Sequence, residues 1–520
     1  MKELKFEELS LKQKLGMALI AFIENPKPDQ IEYTLNLIRN HSLGGVWVQW
    51  QSRDSEKYVK MIKETADYPI LIFTDAESGI YDYQIGGHNA IGCTDSEKHA
   101  YIFGKAVGVA ARKTGYNVVC NPLLDIGEDG NMRAISGDKK KIAILGAAIA
   151  RGMHDAGVLT VAKHYPSDIQ ALDIDSHMAE GYSEQTKEEL IDQSLYAYRE
   201  LMKENLLDGI MTGHHKIVKI DPDRPASLSK KVIGVIREIG FDGFALTDAL
   251  CMMGIRSRYG DVESKGLCIE AGNDFALPYT TDTIFNYEAM CTCYEKGIIS
   301  DEALDRAVKN VLNAQYKTLK EPLHTALTDE DEEIFNSINR NGVFAKCDEG
   351  LTHSISRDGK HYFSIMINNE TQIIDGKVEV DTFNNEWWYP TKIKKRILEL
   401  FPNSKVEFIH QYPSPWYNKC FLEHSLDCED IVFLTYTEPL TYVGSEHFTH
   451  RIVSVVEAAQ FTNRISTVVH FGNPTILEEL AHISRYIVGG MSEASVNACL
   501  DVLAGKYPAK GRLTYNVNFK

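Results

Sequence analysis

The first 320 residues repeat one unit: a short apolar run, a polar group at its end, then a segment with apolar residues spaced three and four apart. The runs fall at 18–22, 45–50, 69–74, 117–121, 158–162, 209–212, 243–247 and 274–277, and helical spacing is clearest at 55–67, 98–114, 139–156, 186–205 and 230–239. Strands covered on both faces are apolar throughout, and parallel strands need a crossover helix between them. Eight such units predict a (β/α)8 barrel of the TIM type.

The polar punctuation carries chemistry. Successive runs end in Asp75, Asp125, Lys163 with His164, His214 and Asp248. In barrels of this kind the reacting groups sit at the C-terminal ends of the strands. Asp248 is the most telling, because Gly243–Leu250 delivers a carboxylate where strand gives way to helix, with an apolar pattern resuming at 251–255. A loop following Lys163-His164-Tyr165-Pro166 carries Asp175-Ser176-His177. A nucleophile candidate and an acid/base candidate on strand ends predict a hydrolase.

Beyond a linker at 321–357, marked by the acid run 329–333, a second alternating region begins. Strands are expected at 362–367, 405–409, 430–436, 465–471 and 485–488, with helices at 391–400, 450–461, 474–483 and 492–505. The prediction is a catalytic barrel domain over 1–320 and a smaller doubly wound α/β sandwich domain over 358–520. That region holds neither G-x-G-x-x-G nor a Walker loop, so no nucleotide cofactor, and no cofactor of any kind, is expected.

A net charge of −18 argues against nucleic acid or an anionic membrane surface as partner. No stretch approaches the ~20 apolar residues of a membrane helix. Residues 1–10 place charges where a signal peptide has its apolar core, and the 10 cysteines are scattered without a CxxC pair. Cys291-Thr292-Cys293 is too tight for the common zinc spacings. The expectation is a cytoplasmic chain, with a trimmed leader as the alternative, carrying reduced thiols and no metal site.

Several motifs, in order, resemble glycoside hydrolase family 3 and its bacterial β-N-acetylglucosaminidase branch. Leu11–Gly16 is similar to the opening helix and Asp75-Ala76-Glu77-Ser78-Gly79 to the D-x-E-x-G turn. Asn121–Ile126 resembles the P-x-x-D-[IV] strand end, followed by Arg133 and a shortened Ser136-Gly137-Asp138 element. Lys163–Pro166 resembles K-H-F-P, and Asp175-Ser176-His177 the D-S-H dyad. Pro225–Ser229, Leu246–Met252, Ala271–Asp274 and the tail Gly511–Val517 have counterparts as well. The chain departs from the pattern in three places. Ser167-Asp168-Ile169-Gln170 replaces G-H-G-D, the arginine usual after D-x-E-x-G is missing, and Ala249 replaces a frequent second aspartate.

The resemblance implies a retaining exo-β-glycosidase acting on an oligosaccharide or other glycoside. Asp248 would be the nucleophile, His177 the acid/base and Asp175 the group orienting its ring. Asp75, Arg133, Lys163 and His164 would hold sugar hydroxyls, with a buried ion pair the alternative for Lys163 or Asp75. His214 would line the pocket wall. Tyr81, Tyr83 and Trp387-Trp388 are read as core before sugar platforms. Three other readings stay open: a β-glucosidase or β-xylosidase drawing its acid/base from Glu438 or Glu446, a phosphorylase, and an inactive sugar-binding homologue.

Overall fold

The computed structural model describes residues 1–127, 133–167, 176–374, 376–382, 387–437, 447–461 and 465–519. The first sheet has seven strands paired in chain order, all parallel: β1 (Ile20–Ile23), β2 (Gly45–Val48), β3 (Leu71–Asp75), β4 (Val118–Cys120), β5 (Leu159–Tyr165), β6 (Gly209–Thr212) and β7 (Phe244–Thr247). Every residue of β1, β2, β6 and β7 is buried, which is why these runs are apolar without alternation. The stretch 274–277, expected as an eighth strand, makes single parallel bridges, Phe275 to Leu246 of β7 and Ala276 to Leu19 before β1.

The sheet curls on itself. Phe73 of β3 meets Phe244 of β7 edge-on with ring centroids 6.3 Å apart, although four strand spacings on a flat sheet would separate them by about 19 Å. Phe275 stands 5.7 Å from Phe73, and Trp47 stacks on its other side at 6.3 Å. Glycine makes room for this aromatic layer: a Cβ on Gly45 would lie 2.6 Å from the Phe73 ring, and one on Gly209 2.6 Å from that of Phe244. Side chains two apart on a strand share a face. Phe73 therefore places Asp75, two residues on, and Phe244 places Asp248, four residues on, on the inward side above the aromatic plug.

The second sheet has the order β8-β13-β12-β11-β9-β10, with β8 (Phe344–Cys347) antiparallel to its neighbour and the rest parallel: β9 (Tyr362–Ile367), β10 (Lys405–His410), β11 (Asp430–Tyr436), β12 (Ile465–Phe471) and β13 (Arg485–Gly489). Each sheet has its own apolar core, an arrangement of two α/β domains. The helix expected at 474–483 is a single 3₁₀ stretch, Pro474–Glu479. No described helix is long and apolar enough to cross a membrane.

The stretch 321–357, expected as a linker, contains helix Asp329–Asn341 and strand β8. Its acid run is the helix's first turn, capped by the Thr328 side chain, where carboxylates favour the helix dipole. Asp331 is buried against Lys105, with Oδ2 2.8 Å from Nζ. A second tie runs back from the tail. Ser136 Oγ and Gly137 N both donate to Thr514 O at 3.0 Å, Tyr515 Oη donates to Ala134 O at 2.7 Å, and Arg512 N donates to Cys93 O at 2.9 Å.

Candidate active site

Five strand ends converge above the aromatic plug. Lys163, at the end of β5, is 1% exposed, and its Nζ lies 2.7 Å from Asp75 Oδ1 and 2.5 Å from Glu77 Oε1. Arg133 clamps Glu77 from the other side: Nε donates to Oε2 at 2.8 Å and a terminal guanidinium nitrogen donates to Oε1. Burial disfavours the charge of Glu77, but Arg133 and Lys163 outweigh it and hold this carboxyl well below its usual range. Burial raises Asp75 instead, against the pull of Lys163. Burial opposes the charge of Lys163 and of Arg133, and the carboxylates reverse it, so both cations are held above their ordinary values.

The Asp75–Glu77 turn is braced from below. His88 Nε2 donates to Asn121 Oδ1 at 2.9 Å, and Asn121 Nδ2 donates to Ala76 O, the carbonyl between the two acids, at 2.8 Å. All of these are buried polar groups with satisfied partners, the condition for a rigid site.

A second array centres on His164. Its backbone N–H donates to Asp125 Oδ1 at 2.9 Å, its Nδ1 donates to Asp125 Oδ2 at 2.8 Å, and Nε2 stands 3.7 Å from Asp248 Oδ2. Burial lowers the pKa of this ring, but Asp125 and Asp248 together raise it above its ordinary 6.5. Burial likewise disfavours the charged form of Asp248. His164, His214, the Ala249 N–H at 2.7 Å from Oδ1 and Lys163 pull the other way, leaving it at about 2. Its side chain keeps 23% exposure, so this ionised carboxylate is open to a ligand.

His214 is buried with both nitrogens engaged: Nε2 donates to Ala249 O at 3.1 Å and Nδ1 accepts from Ser227 Oγ at 2.8 Å. Burial lowers its pKa, and the ring braces the residue after Asp248. His177 lies on a loop joined to the same region, where Met253 N donates to His177 O at 3.0 Å. Asp175, Glu438 and Glu446 lie outside the described residues. Among the aromatics, Trp388 is buried in the second core and Trp387 packs beside it. Tyr83 donates to Glu332 at 2.7 Å, and Tyr81 packs edge-on against Trp50.

The structure thus brings together Asp75, Arg133, Lys163, His164 and Asp248, and sets His214 behind them. Glu77 and Asp125 hold this array in place; the sequence marks Asp125 as a polar strand end and Glu77 as part of the D-x-E-x-G turn, without giving either a role in the site. Charge balance was the available signal for Glu77: Lys163 and Arg133 are two cations, and Asp75 alone cannot neutralise both in a buried setting. Among the described residues, no group of three or more His, Cys, Asp or Glu is arranged to hold a metal ion.

Two sets of braced carboxylates stand around an accessible aspartate at the mouth of a curled parallel sheet, an arrangement that fits a hydrolase of the glycosidase class. The model of the glycosyl hydrolase family 3 N-terminal domain matches residues 8–314, and the chain belongs to that family. A β-hexosaminidase of Haemophilus influenzae is 29% identical over 237 residues, which span 43% of this chain and 67% of the relative. The same two-domain fold occurs in a family 3 β-N-acetylglucosaminidase from Paenibacillus sp. str. FPU-7, with TM-score 0.81, 23% identity and coverage of 98% and 100% of the two chains. It recurs in the β-glucoside phosphorylase BglX bound to 2FGlc, with TM-score 0.82, 20% identity and coverage of 98% and 95%.

Proposed function

We propose that the protein is a retaining exo-β-N-acetylglucosaminidase in which Asp248 is the nucleophile. The observation that carries this reading is Asp248, held at a pKa of about 2 and still open to a ligand, with Nε2 of His164 3.7 Å away. An Asp248 oxygen attacks C1 as the C1–O bond to the leaving group breaks, giving a glycosyl ester; water then attacks C1 and frees the carboxylate, with net retention. His177 gives its proton to the departing oxygen in the first step and takes one from water in the second. Asp175 orients its ring. The hydrogen bond from Met253 to His177 supports this role by tying the loop to the segment just after Asp248. Asp75, Glu77, Lys163, Arg133 and His164 offer charged acceptors and donors to the hydroxyls of the sugar.

The scaffold belongs to the same reading. The curl that joins Phe73 to Phe244, with the bridges of 275–276 to both edge strands, supports a closed (β/α)8 barrel over 1–320, a connecting segment at 321–357 and a second domain over 358–520. Ten free cysteines support a reducing, cytoplasmic setting.

The test is a panel of p-nitrophenyl β-N-acetylglucosaminide, β-glucoside and β-xyloside, each with and without inorganic phosphate. The expected result is preferred release of N-acetylglucosamine without dependence on phosphate. Preference for the glucoside or xyloside would overturn the sugar assignment, and a sugar phosphate as product would overturn hydrolysis. That last outcome is the second reading, because an imidazole acid/base leaves less negative charge beside C1 than a glutamate does.

A further inference from the structure

Tyr279 lies two residues past the bridging segment, at the same end of the sheet as Asp75 and Asp248. Its backbone is left-handed, with φ +56°, a conformation bulky residues rarely adopt and one that the surrounding structure must enforce. The ring is clamped on two sides. Phe22 lies beneath it with centroids 4.2 Å apart, and Trp47 meets it edge-on at 5.8 Å. Trp47 in turn stacks on Phe73, the residue whose face leads to Asp75. Tyr279 therefore caps the aromatic plug at the level of the candidate site.

The hydroxyl is the part the fold does not use. Among the described residues it has no hydrogen-bond partner, yet it is not sealed from solvent. Burial, Asp75 and Glu24 keep the phenol protonated, with Lys163 opposing and Asp248 adding to the effect, so the group is a donor at any pH of interest. Three of these charged groups, Asp75, Lys163 and Asp248, line the site already described. A protein that needed only the ring's packing would be served by phenylalanine, without an idle donor beside these charged groups.

We propose that the Tyr279 hydroxyl is a specificity-determining contact, donating a hydrogen bond to one ring hydroxyl of the sugar held between Asp75 and Asp248. The inference rests on the glycosidase reading above. It adds a neutral donor three strand positions on from Lys163 and His164.

Tyr279→Phe keeps the ring between Phe22 and Trp47, so the fold should be retained, and an unchanged thermal melt confirms this. On the p-nitrophenyl glycoside that the wild type prefers, kcat/KM should fall by roughly tenfold, the size of one lost hydrogen bond to an uncharged partner. The discriminating measurement compares wild type and variant on the monodeoxy forms of that glycoside. At one ring position the penalty the wild type suffers should vanish in Tyr279→Phe, while the penalties elsewhere persist. An unchanged kcat/KM, or identical penalties at every position, would overturn the proposal. The wild-type substrate panel reads the sugar assignment separately, so failure of that assignment and failure of this contact are distinguishable.

Discussion

Nε2 of His164 stands 3.7 Å from Oδ2 of Asp248, while Asp125 grips the opposite ring nitrogen at 2.8 Å. The ring is thus shared by two carboxylates, and the charge it carries when protonated pulls the Asp248 pKa down against its burial.

His164→Gln removes that charge but keeps a hydrogen-bonding side chain. The Asp248 pKa should rise from about 2, and the acid limb of kcat/KM should move to higher pH. Stability carries its own sign. The His164 pKa is raised in the folded protein, so its contribution is complete below the ordinary 6.5 and is lost as pH rises through the elevated value. Urea melts should show the wild type's advantage over His164→Gln shrinking across that window. An acid limb that stays in place would show that His164 does not tune Asp248.

Asp248→Asn should abolish turnover with the fold intact, since the side chain keeps its volume and loses only its nucleophilic charge. Steady-state kinetics should show a kcat reduced at least ~100-fold. A smaller loss would remove Asp248 from the nucleophile role.

Lys163→Met should be costly in stability as well as activity. It leaves Asp75 and Glu77 without the cation they share, with Arg133 still bound to Glu77, and breaking such a buried set costs about 3–5 kcal/mol. In the variant the carboxyls hold protons more tightly folded than unfolded, so its stability should recover partly as pH falls. Chemical denaturation at pH 5 and pH 8 checks the direction.

His177→Ala should cripple hydrolysis of glycosides with poor leaving groups far more than that of activated aryl glycosides, and azide should partly rescue the second step. Asp175→Ala should show the same pattern more mildly, and Glu438→Gln and Glu446→Gln should do little. The reverse pattern, a silent His177 and a leaving-group-dependent defect at either glutamate, would move the enzyme to the β-glucosidase branch.

Removing residues 511–520 should loosen 134–137 and with it Arg133, the clamp on Glu77. KM should rise by roughly tenfold or more while kcat falls less, because a displaced binding group weakens orientation before chemistry. Limited proteolysis should find new cleavage near residue 136.

The parallel strands and their reactive ends were legible because each obeys a local rule. A strand buried on both faces must be apolar, and a charged residue that closes it must have a use; 209–212 and 465–471 coincide with β6 and β12 to the residue. What was hidden depends on contacts distant in sequence. The run 329–333 reads as solvated charge until Thr328 caps it and Lys105, more than 200 positions earlier, pairs with Asp331. Glu77 looks like a turn residue until Lys163 and Arg133 converge on it. His214 reads as pocket wall, and what fixes it there, Ser227 and Ala249 on its two nitrogens, is not visible along the chain.

The tie between Thr514 and Ser136 spans 378 positions, and that between Tyr515 and Ala134 spans 381. The ribosome therefore releases the strands that carry Asp75, Lys163 and Asp248 long before the residues that pin the neighbouring loop exist. The growing chain holds its acids and bases with the Arg133 segment unfastened until translation passes residue 515, so the pocket takes its finished shape only after the second domain has been made.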